Sequence, residues 1–205
     1  MYISWNRSTR VLLPISNRKE YNQALSDFYQ WHSEEPEDKD YEQHVLAWME
    51  SLKQFCTMGK LEAAKEWVRD FLETGNKLVL FGTHQFTLDF FMKEFKDYAV
   101  KIDGSTLQND RERAVYLFQN DPDTRLFIGN IKAAGMGITL TAASSVAFIE
   151  LDWTPALHEQ AEDRCNRIGQ TNSVNCYYLL AEQTLDEYIL AMLESKRVIV
   201  NETMD

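Results

Sequence analysis

The sequence predicts an α/β fold, in which helices cover both faces of a central, mostly parallel sheet. Short continuous apolar runs such as Lys77-Leu-Val-Leu-Phe81 are typical of strands that are buried on both faces. From residue 75 onward such runs alternate with helical patterns, and this alternation favours a parallel sheet. The first 74 residues look mostly helical instead. We therefore expect a strand-like piece and a helical protrusion over residues 1–74, and the α/β unit over residues 75–205.

The N-terminal region begins with an apolar, strand-like segment, Val11-Leu-Leu-Pro-Ile15. The charged, proline-containing segment 33–40 and the stop signal Thr74-Gly75 delimit the helical patterns that follow. Apolar residues at helical spacing predict three helices, over residues 18–33, about 41–55 and about 60–74.

Strands and helices alternate through the α/β unit. The strands are predicted at residues 77–81, about 99–102, 125–128, 145–149 and 175–180. The helices are predicted at about 85–97, 109–120, 155–167 and 184–200. Ligands of parallel sheets bind beyond the carboxyl ends of the strands, so we expect a site in the loops at those ends.

The composition is that of a soluble globular protein, with 44% hydrophobic and 26% charged residues. No apolar run approaches the roughly 18 residues of a membrane span, and the N-terminal sequence lacks an apolar signal region. The three cysteines have no paired spacing, which predicts no zinc site and a reducing compartment. We expect a protein of the cytoplasm (bacterial, archaeal or phage) or the nucleus, neither secreted nor bound to a membrane.

The net charge of −11 excludes a generally basic nucleic-acid binder, but the charge is unevenly distributed. Residues 20–50 hold nine acidic residues and one basic residue, Lys39, so the remainder is nearly balanced. The balanced part therefore has room for a nucleic-acid surface. The acidic helical region 18–74 is expected to face solvent or a protein partner.

The most informative segment is Gln160-Ala-Glu-Asp-Arg-Cys-Asn-Arg-Ile-Gly-Gln170. On a helix, positions i, i+4 and i+7 lie within about 60° of one another. Gln160, Arg164 and Arg167 therefore share one predicted stripe, which Gly169 ends. Two guanidinium groups that point the same way suit a polyphosphate. The alternative is a solvated helix face on which Asp163 pairs with Arg167.

Two loops at predicted strand ends carry hydroxyl groups. In Gly82-Thr-His-Gln85, the main-chain N–H groups with Thr83 and His84 could hold a phosphate, or Thr83 could simply cap the helix. In Asp103-Gly-Ser-Thr106, Ser105 and Thr106 could cap a helix or contact a nucleic-acid backbone. Here the structural role is favoured, with Arg111 paired to Asp103.

Two further segments lead into the arginine-rich stretch. In Lys132-Ala-Ala-Gly-Met-Gly-Ile-Thr-Leu140, the glycines Gly135 and Gly137 allow close approach to a ligand, and a sharp turn is the alternative. In Glu150-Leu-Asp-Trp-Thr-Pro155, the proline fits a first helical turn and Trp153 is expected to pack.

In this order and spacing, these segments resemble the second RecA-like motor lobe of superfamily-two helicases, specifically of the Swi/Snf-type DNA translocases. The hallmark run of that family reads here from Lys132 to Gln170, and the resemblance includes Lys77–Gly82 and Ile102–Thr106. The helices of region 18–74 look like the helical insertion of the family. Ala-Ala-Gly-Met-Gly-Ile-Thr-Leu is most similar to the branch of annealing helicases and fork-remodelling proteins.

The resemblance implies a RecA-like lobe that forms half of a two-lobe ATPase. The first lobe, in the same protein or in a separate chain, would hold ATP and Mg²⁺ through a GxxxxGK[ST] loop that this sequence lacks. This chain alone is therefore expected to be inactive. The resemblance makes Arg164 and Arg167 arginine fingers, has Gln160 sense the nucleotide, and puts Gly135 and Gly137 on the nucleotide side of the cleft.

The same resemblance implies a grip on one strand of duplex DNA without strand separation, as in motors that remodel chromatin or other nucleoprotein. The residues that would face the DNA backbone are Thr83, His84, Ser105, Thr106 and Lys132. One alternative is a non-catalytic interaction module that keeps the fold and binds a partner through region 18–74. Another is the lobe of a strand-separating or RNA helicase. A nucleotide-dependent oxidoreductase or transferase would lack its GxGxxG loop.

Overall fold

The computed structural model describes residues 7–34, 40–132, 137–166 and 173–204, and within them strands alternate with helices as predicted. The strands are β1 (Arg7–Leu13), β2 (Leu78–Gly82), β3 (Ala99–Ile102), β4 (Leu126–Asn130), β5 (Ser145–Phe148) and β6 (Asn175–Ala181). The helices are α1 (Arg18–Glu34), α2 (Tyr41–Glu73), α3 (Gln85–Glu94), α4 (Gln108–Asn120), α5 (Pro155–Glu162) and α6 (Leu185–Met204).

The strands form one sheet in the order β1-β6-β5-β2-β4-β3, and every neighbouring pair is parallel. All five residues of β2 are buried, as expected of a strand in the middle of a sheet that is covered on both faces. The predicted α/β fold is therefore confirmed. Since all strands run the same way, the loops that follow β2, β3, β4 and β5 lie at one edge of the sheet.

The N-terminal strand belongs to the same sheet as the α/β unit. β1 pairs with β6 along its whole length, from Arg7 opposite Asn175 to Leu13 opposite Ala181. The boundary predicted at residue 74 is therefore not a break in the sheet. As a description of domain organisation, the division into 1–74 and 75–205 stays a prediction.

The two helices predicted at 41–55 and 60–74 are wrong, because α2 is one continuous helix of 33 residues. Its ladder of hydrogen bonds passes through Gly59, where the N-terminal segment packs directly on the helix. A Cβ at Gly59 would lie 2.0 Å from Asn17 Oδ1, and Ser16 N donates to the Gly59 carbonyl at 2.9 Å. Glycine therefore serves a close approach here and does not end the helix.

The core has two parts, because alternate residues of each strand point to opposite faces of the sheet. On one face, Phe148 stacks between Phe81 and Tyr178, at ring-centroid distances of 5.9 and 5.3 Å. On the other face, residues of α2 and α3 such as Val68 and Phe91 pack on the sheet. No helix in the described part of the chain is both long and apolar enough to cross a membrane.

A buried ion pair joins α2 to the start of α6. Lys60 Nζ donates to the Leu179 carbonyl at 2.7 Å and lies 2.5 Å from Asp186 Oδ2. The same carboxylate accepts a hydrogen bond from Ala181 N at 2.9 Å. Lys60 is 0% exposed and Asp186 4% exposed, so each charge relies on the other for compensation.

We predict that Lys60→Met lowers the free energy of unfolding by about 3–5 kcal/mol, because it leaves the Asp186 carboxylate buried without its cation. Urea denaturation of the purified chain measures this loss. Lys65→Met is the matched control, since Lys65 lies on the same helix and pairs with Glu62, whose side chain is exposed. A loss for Lys60→Met no larger than that of the control would contradict the prediction.

Candidate functional site

Four loops meet at the carboxyl edge of the sheet, as the parallel topology requires. We call them loop 1 (82–85, after β2), loop 2 (103–107, after β3), loop 3 (131–140, after β4) and loop 4 (149–154, after β5). Asn130 joins two of them, because its Nδ2 donates to the Thr83 carbonyl at 2.8 Å while its Oδ1 accepts from Lys132 N at 3.0 Å.

Loop 1 is organised by the carboxylate of Glu150, which is 2% exposed. Glu150 Oε2 accepts hydrogen bonds from Thr83 N at 2.6 Å and from His84 N at 3.0 Å. A Cβ at Gly82 would lie 2.9 Å from the same oxygen, so the approach requires glycine. The main-chain donors for which the sequence offered a phosphate as one of two alternatives are thus bound by an internal carboxylate.

The capping alternative for loop 1 is wrong. The residue that caps α3 is His84, whose carbonyl accepts from Thr87 N and Leu88 N, and no side-chain cap bond forms there. The contact of Thr83 and His84 with nucleic acid stays a prediction. Both side chains are half-buried.

The imidazole of His84 lies between two carboxylates. Its Nε2 is 2.8 Å from Glu50 Oε1 on α2, and its Nδ1 bonds Glu150 Oε1. The hydrogen bond with Glu150, helped by the charges of both carboxylates, raises the pKa of His84 against the opposing effect of burial. Although burial raises it, the hydrogen bonds from His84 and Thr83 hold the pKa of Glu150 below its ordinary value.

Loop 2 is closed by the carboxylate of Asp103. Its Oδ1 accepts from Ser105 N at 2.9 Å, Ser105 Oγ at 2.6 Å and Thr106 Oγ1 at 3.1 Å. The hydrogen bond from the Ser105 hydroxyl, helped by Lys101, holds the pKa of Asp103 far below its ordinary range. The residue that caps α4 is Leu107, so the expected capping by Ser105 or Thr106 is wrong.

Arg111 ties loop 2 to α4 through main-chain carbonyl oxygens of the loop, whereas the prediction was an ion pair with the Asp103 carboxylate. Its Nε donates to the Thr106 carbonyl at 2.8 Å and one terminal nitrogen donates to the Asp103 carbonyl at 3.4 Å. The Asp103 carboxylate meanwhile meets Lys101 Nζ at 2.9 Å. Loop 2 is therefore held by internal bonds on both sides.

Loop 3 is described at its two ends, and Gly135 lies outside the described residues. Lys132 is exposed at its start. Gly137 is exposed and has φ of 74°, a conformation that favours glycine. A cavity of about 500 Å³ separates Gly137 and Thr139 from Arg111 and Tyr116 on the α4 side, which leaves this end of loop 3 accessible.

The arginine-bearing helix is shorter than predicted. α5 ends at Glu162 instead of residue 167, because the hydrogen bonds tighten to Arg164 N→Ala161 O at 3.2 Å and Cys165 N→Glu162 O at 3.1 Å. Gln160 therefore lies on the last turn of α5 and Arg164 in the turn that follows it, and the predicted extent of the helix to residue 167 is wrong. Arg167, Gly169 and Gln170 lie outside the described residues.

The turn after α5 is anchored by tertiary contacts. Leu140 N, at the end of loop 3, donates to the Arg164 carbonyl at 2.8 Å. The Arg164 residue is 8% exposed and Cys165 is 0% exposed, whereas Gln160 is exposed on the last turn of α5. Burial raises the pKa of the Cys165 thiol to about 12. Loop 3 and the arginine turn are thus brought together.

Loop 4 agrees with its sequence predictions at two positions. Pro155 stands in the first turn of α5, and the half-buried Trp153 packs against the core. The ammonium of Lys53 on α2 lies 5.5 Å from the centre of the Trp153 ring. Helix α2 therefore contacts loop 4 directly.

Sequence reasoning gave no role to Glu150, Asn130 or Glu50. The position of Glu150 directly after a buried strand is a usable signal, since residues there lie at the carboxyl ends of the strands, where ligands bind. Glu50 has no such signal, because it is far from loop 1 in sequence and reaches it only through the packing of α2.

Comparison with known proteins gives the family. The chain matches the model of the helicase conserved C-terminal domain over residues 59–169, more than half of its length. It is 41% identical over 152 residues to the mouse (Mus musculus) "DNA annealing helicase and endonuclease ZRANB3", covering 72% of this chain and 14% of that protein. It is 40% identical over 141 residues to the "SWI/SNF-related matrix-associated actin-dependent regulator of chromatin subfamily A-like protein 1" of Xenopus tropicalis, covering 67% and 15%. The chain thus spans a small part of these relatives.

Solved structures agree on the fold. The "Sulfolobus solfataricus SWI2/SNF2 ATPase core in complex with dsDNA" matches with a TM-score of 0.78 at 23% identity, covering 95% of this chain and 45% of that one. The "Sulfolobus solfataricus SWI2/SNF2 ATPase C-terminal domain" matches with a TM-score of 0.74 at 19% identity, covering 94% and 86%. The chain belongs to the family of helicase conserved C-terminal domains, and its fold is that of the RecA-like C-terminal lobe of SWI2/SNF2 ATPases.

Proposed function

We propose that this chain is the second motor lobe of an ATP-dependent translocase that moves on duplex DNA. The observation that carries the proposal is the hydrogen bond between Leu140 N and the Arg164 carbonyl, at 2.8 Å. It joins the glycine-containing loop 3 to the arginine turn, the two segments expected to meet the nucleotide. One structural neighbour is an ATPase core in complex with double-stranded DNA, which supports the choice of duplex DNA.

ATP with Mg²⁺ would be held mainly by a companion first lobe, because this sequence has no GxxxxGK[ST] loop. Negative charge spreads over the transferred phosphoryl group in the transition state, and a positioned guanidinium contributes roughly 10³–10⁵ in rate. Arg164 and Arg167 would supply this charge, and Gln160 would contact the nucleotide beside them. Gly135 and Gly137 would let the backbone approach it. Alone, the chain would hydrolyse ATP negligibly.

The burial of Arg164 adds a condition to this role. At 8% exposure in the isolated lobe, the Arg164 residue offers little surface to a nucleotide on another lobe. Closure of the two lobes would therefore have to turn the side chain outward. Such a step would couple the arginine finger to lobe closure and would keep it away from phosphate when the lobes are apart.

DNA would lie along the loop edge of the sheet and be gripped through its phosphates, without reading of sequence. The residues that would contribute are Thr83, His84, Ser105, Thr106 and Lys132. Lys132 is exposed and suits a phosphate directly. The hydroxyl protons of Ser105 and Thr106 point to Asp103, so a phosphate would have to compete with that carboxylate for them.

For Arg164→Ala in the protein that carries both lobes, we predict a fall of roughly 10³-fold in DNA-stimulated kcat, because the transition-state charge loses its partner. Steady-state ATPase assays with and without duplex DNA measure it. Arg113→Ala, an exposed arginine of α4, is the matched control and should retain the wild-type rate. Equal rates for both variants would overturn the arginine-finger role.

The choice of nucleic acid is tested in the same assay. A duplex translocase should be stimulated by double-stranded DNA more than by single-stranded DNA or RNA. Preferential stimulation by single-stranded DNA or by RNA would favour a strand-separating or RNA helicase instead.

A second role, binding of a protein partner by the acidic helical region, is favoured by an aromatic cleft. Trp31 of α1 meets His44 of α2 edge-on, with ring centres 5.8 Å apart. Trp31, His44 and Trp48 line a cleft of about 420 Å³. On the same two helices, Leu46 is 67% exposed and Tyr29 is 60% exposed. Exposed apolar side chains mark an interaction site when they form one patch and are not scattered singly over the surface.

The charge of this region indicates which partner fits. The excess of acidic residues at 20–50 repels DNA and a second copy of the chain, and attracts a basic segment. Lysine or arginine side chains bind well over tryptophan faces. We therefore propose a lysine- or arginine-rich segment of a protein partner as the occupant of the cleft.

We expect a lysine-rich synthetic peptide to bind the chain, and Trp48→Ala to weaken that binding about 5-fold through loss of a cation–π contact. Fluorescence anisotropy of the labelled peptide measures the affinity. Tyr188→Ala removes an exposed aromatic residue on α6 and is the control. No binding of the peptide, or equal weakening by both variants, would overturn this partner site.

A further inference from the structure

Three separate parts of the lobe meet at the Glu150 carboxylate and the His84 imidazole. Loop 1 contributes Thr83 N and His84 N, which donate to Glu150 Oε2 at 2.6 and 3.0 Å. Helix α2 contributes Thr57, whose hydroxyl donates to Glu150 Oε1 at 3.2 Å, and Glu50, which lies 2.8 Å from His84 Nε2. Loop 4 contributes Glu150 itself. The helical insertion, loop 1 and the segment that leads to Arg164 are thus linked at one point.

The two carboxylate contacts of His84 are both hydrogen bonds only when each ring nitrogen carries a proton. Both nitrogens face a carboxylate oxygen, and a carboxylate only accepts hydrogen bonds. A neutral imidazole has one N–H, so its other nitrogen would present a lone pair to a negative oxygen. The link is therefore complete when His84 is an imidazolium and incomplete when it is neutral.

The surroundings of His84 come from every element packed against it. Glu50 is itself 3.6 Å from the ammonium of Lys53 on the same helix. Within loop 1 and the start of α3, the Thr83 hydroxyl is 3.3 Å from Nδ1 and the Phe86 ring stacks on the imidazole at 5.3 Å. From β4, Asn130 binds the Thr83 carbonyl at 2.8 Å. The charges nearest the ring are thus two carboxylates and one ammonium.

A second chain of contacts runs from α2 to loop 4 through Trp153. Lys53 stands between Glu50 and the ring of Trp153, which lies 5.5 Å from the ammonium. Trp153 follows Glu150 in loop 4 and precedes α5, which carries Gln160 and ends before Arg164. A displacement of α2 would therefore reach loop 1 through His84 and the arginine turn through Trp153.

We propose that Glu150 and His84 are positioning residues that couple the helical insertion to loop 1, and that the proton on His84 sets how strongly duplex DNA stimulates ATP hydrolysis. The inference rests on the proposed motor function. This role is distinct from the phosphate contact proposed for His84, because a phosphate would have to displace a carboxylate from one of the ring nitrogens. Loop 1 meets DNA in the correct place only while the link holds it.

The direction of the pH effect follows from the raised pKa of His84. Below that pKa the imidazolium keeps both carboxylates bound, and the link is intact. As the pH rises through it, the proton and one of the two bonds are lost. The apparent KM for DNA should therefore rise with pH, while kcat at saturating DNA changes less.

The experiment measures KM for duplex DNA and kcat between about pH 5.5 and 9, in the protein that carries both lobes. In the wild type, we expect KM to rise severalfold across one transition. Glu150→Gln should move its midpoint to lower pH, because the imidazolium loses a charged partner, and Glu50→Gln should move it in the same direction. His84→Asn should abolish the transition and give a high, pH-independent KM.

Glu66→Gln is the matched control, since Glu66 lies on α2 and pairs with Arg69 at the surface. It should leave both the midpoint and KM as in the wild type. Imidazole ¹⁵N NMR on the same samples should show His84 protonated at both nitrogens below the transition. A purely structural role would lower thermal stability without moving the midpoint, and Glu50→Gln, at a half-exposed residue, provides the test if Glu150→Gln does not fold.

The outcomes separate this inference from the motor function. If Arg164→Ala abolishes DNA-stimulated hydrolysis while Glu150→Gln and Glu50→Gln leave the midpoint unchanged, the link is overturned and the motor stands. If the NMR shows His84 neutral where KM is low, the link is also overturned. If no nucleic acid stimulates ATP hydrolysis by the protein that carries both lobes, the motor function itself fails.

Discussion

The parallel pairing of the strands is the constraint on which the rest of this structure depends. It buries both faces of the sheet, so the strands must be apolar throughout and helices must cover each face. It also brings the loops after β2, β3, β4 and β5 to one edge, although these loops are far apart in sequence. Among the described candidate residues, those that lie in these loops are Thr83, His84, Ser105, Thr106, Lys132 and Gly137, so strand direction is what brings them to the same edge.

At that edge, buried carboxylates accept hydrogen bonds from donors that the sequence offered as candidates for binding a ligand. Glu150 occupies the N–H groups of Thr83 and His84, and Asp103 occupies the hydroxyls of Ser105 and Thr106. Each loop is thereby fixed before any ligand arrives, which lowers the entropy that binding must overcome. Each also contains an internal competitor for phosphate, so a phosphate bound there would have to displace or bypass a carboxylate.

Buried carboxylates, those of Asp186 and Glu150, recur at the junctions between elements. The pair of Lys60 and Asp186 joins α2 to α6, and His84 joins α2 to loop 4. Such groups are costly to bury singly, so their positions are held strongly once paired. Helix α2 takes part in both junctions. Because of this, helix α2 is part of the lobe, and its sequence is constrained by the loops that it contacts.

The sequence by itself determined the α/β class, the order of strands and helices, the family resemblance and the segments at the ligand edge, because apolar periodicity and motif order are local properties. Local pattern failed where a distant segment decides the outcome. Gly59 stands inside a helix, where the close approach of Asn17 requires a glycine, and α5 ends at Glu162, before a turn that is bonded to Leu140. Only the tertiary structure revealed that the Glu150 carboxylate binds the main-chain N–H groups of loop 1 and that Glu50 contacts His84. Those contacts join residues far apart in the chain, and hydrogen-bond donors become occupied only when folding brings an acceptor to them.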